Sequence, residues 1–294
     1  MIDTAKPHYR QYSELLKDIV DIDKKYRKMV LGRLSTCEFA QLHKTFCSVL
    51  NIFDANNNLF NITNCKNIKK LIEYTTKRFN INAMLDIHQT RVSFFNTGID
   101  NIIDELNSKI TELESIFKKF EESIKVFGND NAIRASLNVM IDKQGNCIIS
   151  TTKRAYENIK SLSWSYSIRY SKSPKPLIFK LSDLTVENVS QNAIKLRSKL
   201  LDKLANTLEK SKQQLEIRCK QLYEIMIKQY VEQYNDLIHN ISHNVAIIDI
   251  AVSSAICSIE NYYTRPILSN SEHGSFNIIG LRHPIIEKIS DTTE

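Results

Sequence analysis

Between Pro176 and Pro266 the chain contains neither Gly nor Pro, and this gap in helix breakers is what most constrains the fold. Inside it Ile194, Leu201, Leu208, Leu215 and Leu222 recur every seven residues, supplemented by Leu204, Ile225, Met226 and Tyr230. An apolar heptad asks for a partner helix lying lengthwise against it. The spacing predicts a helix over 191–240, about 60 Å long at 1.5 Å per residue, which no small domain can enclose. Ser242 is expected to open a last helix through Val245, Ile248, Ile250, Val252, Ile256 and Ile259. The partner is expected over 100–125. There Ile103, Leu106, Ile110, Leu113, Phe117, Phe120 and Ile124 step alternately by three and four, and Gly128 ends the run. Paired antiparallel, the two helices would form a stalk.

What the stalk carries lies between them. Leu137, Val139 and Ile141 alternate with polar residues, Asp142–Asn146 is a turn with Gly145, and Cys147, Ile148 and Ile149 follow, the pattern of a β-hairpin. From Lys143 to Lys180 eight residues are basic and only Glu157 is acidic. The chain has 40 Lys and Arg against 33 Asp and Glu, so thirty-two of each sign remain elsewhere. The whole net charge of +7 therefore sits in one stretch, with Trp164, Tyr156, Tyr166, Tyr170 and Phe179 interleaved. Short strands and loops are expected there, at the far end of the stalk. A concentrated basic, aromatic module fits a polyanion better than a small substrate. Lys143, Lys153, Arg154, Lys160, Arg169, Lys172 and Lys175 are the candidate phosphate contacts, and nothing in the stretch specifies bases.

The N-terminal third reads as a helical unit. Tyr9, Tyr12, Leu15, Leu16, Ile19, Ile22 and Tyr26 form one stripe over 8–27, broken at Gly32. Ser35-Thr-Cys-Glu38 is a capping box opening a helix through Phe39, Leu42, Phe46 and Leu50. An Asn-rich turn at Asn56–Asn58 precedes a helix through Ile68, Leu71 and Ile72, and 91–98 reads as a short extended piece. Phe276–Glu287 reads as a strand. Six scattered Cys without a CxxC pair point to reduced thiols and an intracellular, soluble protein, in a compartment the sequence does not resolve. No apolar run is expected to reach the roughly 20 residues of a membrane span.

Catalytic signals are weak. His239-x-x-x-His243 has the spacing of a metal pair, but Asn240 stands where HExxH needs Glu, so structural histidines are the better reading. Glu121-Glu122 and Asp104-Glu105 sit among lysines as solvated surface. No phosphate-cradling glycine loop occurs among the six Gly. The chain is therefore read as non-enzymatic, with no cofactor or metal of its own. A different class stays open: a structural coiled-coil protein whose basic tip docks an acidic partner or a membrane.

Tyr263-Thr-Arg-Pro266 followed by Leu281-Arg-His-Pro-Ile-Ile-Glu287 resembles the junction where the levers of MutS-type mismatch-repair proteins enter the ATPase domain. Leu31-Gly-Arg-Leu-Ser35 resembles the family's L-G-R-x-S. Phe95-Asn-Thr-Gly98 through Leu106 resembles the opening of the outgoing lever. Leu137-Asn-Val and Cys147–Lys153 look like the start of the clamp, and Ser190–Leu215 looks like the returning lever. The resemblance implies a helical core with long antiparallel levers carrying a small β-rich clamp. By region, 1–131 would be core and outgoing lever, 132–189 clamp, 190–266 returning lever, and 267–294 the first strand region of an ATPase domain. In that family two subunits form a ring and the clamps close on the backbone of double-stranded DNA. ATP and Mg would belong to a longer parent, which would dimerise through its ATPase domains. The Asn, Ile and Lys bias would suit a giant-virus member. Leu281 departs from the family's Gly or Ala. The mismatch-reading domain, the connector and the Walker motifs have no counterpart. Phe120-Glu-Glu122, the one F-x-E, lies in the heptad seam and is not a wedge.

Overall fold

The computed structural model describes residues 9–55, 65–86, 93–126, 138–142, 145–160, 165–171, 175–189, 192–268, 274 and 276–290. Among the described residues the protein is mainly α, with a small four-stranded antiparallel sheet, a separate two-stranded hairpin and one very long helix. The predictions at Asn56–Asn58, Arg91, Gly128, Leu137, Lys143, Trp164 and Lys172 lie outside the described residues.

The stripe predicted over 8–27 is two helices, α1 (Tyr9–Lys17) and α2 (Ile22–Val30). Asp21 accepts the Lys24 N–H at 2.9 Å and starts α2 afresh. The Val20 N–H, freed by the break, donates to the buried Thr45 hydroxyl at 3.2 Å. Gly32, at φ +66°, ends α2 in a Schellman turn: its N–H reaches Met29 O and the Arg33 N–H reaches Lys28 O. Helix α3 (Thr36–Ala55) opens on the expected capping box. Glu38 N–H donates to Ser35 Oγ and Ser35 N–H donates back to Glu38 Oε2, both at 3.2 Å. An antiparallel bridge between Phe79 and Phe95 clips the extended piece onto the link between α4 (Cys65–Arg78) and α5 (Ile81–Leu85).

Helix α6 (Asn101–Val126) buries Ile103, Ile110, Leu113, Phe117, Phe120 and Ile124, the predicted seam, with Leu106 partly buried. Its partner α8 (Lys199–Glu260) is one helix of 62 residues, about 93 Å by the α-helical rise. The expected break at Ser242 does not occur, because the buried stripe passes through it from Ile238 and Ile241 to Ile248, Ala251, Val252 and Ala255. That last stretch includes a window long and apolar enough by composition to cross a membrane, which sequence reading had not expected. The helix also begins later than predicted. Ile194 and its neighbours form β6 (Ala193–Arg197), not a first heptad. Two pairings show that α6 and α8 run antiparallel. Asp100 meets Arg218 at 2.5 Å at one end, and Phe120 and Leu200 line one cleft at the other. Farther along, Tyr223, Tyr230 and Tyr234 of α8 enter an aromatic cluster with Phe39 and Tyr74, and Tyr26 donates to Asn235 at 2.6 Å.

The predicted hairpin is β1 (Asn138–Ile141) and β2 (Cys147–Thr152), with Ile141 opposite Cys147. Gly145 is required twice over. Its φ is +80°, and a Cβ there would stand 2.9 Å from Asn206 Oδ1 on α8. With β5 (Thr185–Asn188), these strands make a sheet ordered β1-β2-β6-β5. Asp202 in the first turn of α8 accepts the Cys147 N–H at 2.8 Å and pins β2 to the helix. The C-terminal strand does not form. Phe276 and Ile279 are 89% and 94% exposed with no ladder partner among the described residues, and Pro284–Ser290 is a short helix, α9, with Pro at its first position.

Candidate nucleic-acid interface

The basic stretch folds into two devices. The first is α7 (Lys153–Lys160), where strands and loops were expected. Thr152 makes the difference, since its hydroxyl accepts the Ala155 N–H at 3.2 Å and caps a helix directly at the end of β2. Ala155 is buried, Tyr156 is half-buried, and Lys153, Arg154 and Lys160 are exposed. Lys153 and Arg154 stand in the first turn, which holds no acidic residue. Cations there oppose the helix dipole, a local cost that a bound anion would remove.

The second device is a separate hairpin of β3 (Ser165–Ile168) and β4 (Leu177–Lys180), with Tyr166 opposite Phe179. Phe179 packs on Phe120 of α6 with ring centroids 5.1 Å apart. Ser171 N–H and Oγ donate to the Glu112 carboxylate at 2.6 and 2.5 Å. Glu112 lies eight residues before Phe120, about 12 Å down the helix. The hairpin therefore folds back along α6 instead of capping its end. Arg169 and Lys175, both exposed, flank its connection beside α6.

Of the seven candidate contacts, the structure thus groups Lys153, Arg154 and Lys160 on α7 and Arg169 and Lys175 on the hairpin. Lys143 and Lys172 fall outside the described residues. Among the described residues no carboxylate pairs with Lys153, Arg154, Lys160 or Arg169, nor with Lys180 on β4 or Lys199 at the start of α8. Sequence reading counted Lys180 without naming it a contact and missed Lys199, whose place depends on where α8 begins. Elsewhere several charges are used internally. Glu38 takes Lys25 at 2.9 Å and Lys28 at 2.6 Å, and hydrogen bonds from Lys28 and Lys25 hold its carboxyl down at about 2. Lys212 meets Glu114 at 2.6 Å across α6 and α8. The Arg218 guanidinium keeps the Asp100 carboxyl below its usual range. Within the sheet, Arg197 lies 3.4 Å from Glu187.

Other predicted features are structural. Phe120 is fully buried, which suits a seam residue and not a wedge. His239 packs edge-on to Tyr26 at 5.1 Å. All six cysteines are free thiols, and burial pushes Cys147 up to about 12.

No family model matches the sequence. Over 97% of its length the chain is 24% identical to a DNA mismatch repair protein mutS homolog of Acanthamoeba polyphaga mimivirus, covering 27% of that protein. It is 25% identical over 65% of its length to the mitochondrial DNA mismatch repair protein mutS homolog of Sarcophyton glaucum, covering 22% of it. It is 23% identical over 94% of its length to the DNA mismatch repair protein MutS of Clostridioides difficile, covering 27% of it. Over most of its length the chain is thus similar to proteins of the MutS family. It spans about a quarter of the length of the curated relatives it matches.

The segments that carry the MutS resemblance now have physical roles. In Leu31–Ser35, Gly32 closes the Schellman turn, Leu34 is buried and Ser35 caps α3. In Phe95–Leu106, Gly98 sits at φ +89° with its N–H on Asp104 at 2.8 Å, while Asp100 caps α6 and binds Arg218. Arg282 of the MutS R-H-P segment pairs with Glu287, donates to Asn261 O at 2.9 Å and lies 5.8 Å from the Tyr263 ring. It thereby ties α9 to the end of α8.

Proposed function

We propose that this chain is the lever-and-clamp portion of a MutS-type mismatch-repair ATPase, gripping duplex DNA by its phosphates. The carrying observation is that the exposed Lys153, Arg154 and Lys160 on α7 and Arg169 on the β3–β4 hairpin have no carboxylate partner among the described residues. A solvated ion pair gives up its partner to bind a phosphate, whereas an unpaired cation releases only counterions from the DNA. In this reading α6 and α8 are the outgoing and returning levers, and the clamp extends through Arg197 because β6 completes its sheet. Residues 1–131 supply the core with the outgoing lever, and 267–294 lead into the ATPase domain. ATP and Mg act in that domain, two copies join through it, and nucleotide state moves the levers so that the clamp opens or closes. The chain itself supplies binding, not catalysis. Its likeness to three mismatch-repair proteins disfavours the alternative of a free-standing coiled-coil tether.

The test is fluorescence anisotropy of labelled duplex DNA over a salt series. With about four to six phosphates engaged, log K against log salt should fall with a slope of about −4 to −5, without sequence preference. A variant with Lys153, Arg154, Arg169 and Lys172 changed to Ala should lose about a hundredfold in affinity at low salt. A flat slope would count against the clamp assignment.

A further inference from the structure

A cleft of about 400 Å³ opens where the β3–β4 hairpin, the short 3₁₀ turn Leu181–Asp183 and the start of α8 meet. Phe120 and Phe179 form its apolar floor. Its polar wall is Lys180, Asp183, Ser198 and Lys199. Ser198 is the N-cap residue of α8, yet its hydroxyl makes no capping bond. The residue is only 5% exposed, and nothing among the described residues takes or gives a hydrogen bond to that hydroxyl. The first helical bond of α8 is Asp202 N–H to Ser198 O, so the N–H groups of Lys199 and Leu200 also have no acceptor among the described residues. The Ser198 hydroxyl lines the cleft with no capping bond of its own, and a long helix whose cap side chain leaves its first N–H groups bare is ready to bind an anion.

We infer that this cleft holds one phosphate group. The Ser198 hydroxyl and the first-turn N–H groups of α8 donate to its oxygens, and Lys180 and Lys199 neutralise it. The two lysines outnumber the one wall carboxylate, Asp183, which accepts from Ser182 Oγ at 3.2 Å. Asp202, one turn farther on, is turned away to the Cys147 N–H. Bound there, the phosphate bridges β4 to α8 and fixes the hairpin against the long helix. Free phosphate and a DNA phosphodiester share this chemistry, and the DNA source alone rests on the function proposed above.

The experiment is a titration of the nitrogen-15-labelled chain, followed by its amide spectrum, first with inorganic phosphate and then with a short duplex. Phosphate should give saturable shifts at the Ser198, Lys199 and Leu200 amides. Changing both exposed lysines, Lys180→Ala with Lys199→Ala, should weaken them at least about fivefold. Ser198→Ala should weaken binding and Ser198→Thr should retain it. If neither titrant moves these amides saturably, or the double variant responds like wild type, the site is overturned. If the duplex moves the same amides, the phosphate comes from DNA. If the duplex binds by anisotropy but leaves them still while phosphate moves them, the site takes a free anion. Saturation by phosphate with no duplex binding at all would keep this site and sink the DNA reading.

Discussion

The helical body and the basic stretch of 143–180 use charge in opposite ways. In the body, outside 143–180, cations and carboxylates are equal in number, and their pairs tie elements together: α2 to α3 through Glu38, and α6 to α8 through Asp100–Arg218 and Glu114–Lys212. In the basic stretch Lys153, Arg154, Lys160 and Arg169 have no such partner among the described residues, and the hairpin is held to α6 by an apolar contact and a neutral donor. Phe120 grips Phe179, and Ser171 donates to Glu112. Charge that is consumed in holding the fold is unavailable to a ligand. Charge that the fold does not need can be given to one.

That contrast can be broken at its apolar joint first. Phe120→Ala should cost about 3–5 kcal/mol, read by urea denaturation. Because it removes the packing under the hairpin, it should also loosen β3–β4 in hydrogen exchange. If the hairpin stays protected, the Phe120–Phe179 contact is not what holds it.

Next in size is a pH effect confined to the body. Burial holds His43 down at about 4, against 6.5 when exposed, with Nδ1 lacking a partner and Cys47 Sγ 3.8 Å from Nε2. The unfolded chain takes up that proton at higher pH than the folded chain. The stability from keeping His43 neutral is complete above about pH 6.5 and is lost as pH falls toward 4. The loss should reach about 3 kcal/mol at most, by the energy of one pKa unit. His43→Leu should flatten the curve in that window. Below pH 4.5 a second loss should follow as Glu38 protonates toward its depressed value near 2.

The smallest effect sharpens the comparison most directly. Lys25→Ala with Lys28→Ala should cost about 1 kcal/mol of stability, since these pairs are partly exposed. DNA affinity should stay unchanged in the anisotropy titration. A loss comparable with that of the basic-stretch variant would mean that net charge, and not its placement, governs binding.

Much of this was legible in the sequence because its signals act over a few residues. The Ser35–Glu38 box, the Gly145 turn and the seam from Ile103 to Ile124 each carry their geometry locally, and all three stand as read. So does the charge surplus of 143–180, which needs only counting. The candidate site was legible as a region and not as an arrangement. Nothing local separates Lys153 on a capped helix from Arg169 on a hairpin lying along α6. The resemblance to the MutS family was carried by short segments whose roles are again local: turns, caps and one arginine tie.

The sequence by itself determined that a long helix and a shorter one would pair and that a basic β-containing insert would lie between them. Tertiary structure decided where each element starts and stops. Ile194 fits the heptad as well as Leu201 does, but it lies in β6 because β2 and β5 offer it a ladder on both sides. Ser242 could cap a helix, but the continuous buried stripe of α8 keeps it inside one. Phe276–Glu287 reads as a strand and forms none among the described residues, because a strand exists only where another is present to take its hydrogen bonds. Periodicity specifies what a segment can be, and the partners that reach it across the chain select which of those it becomes.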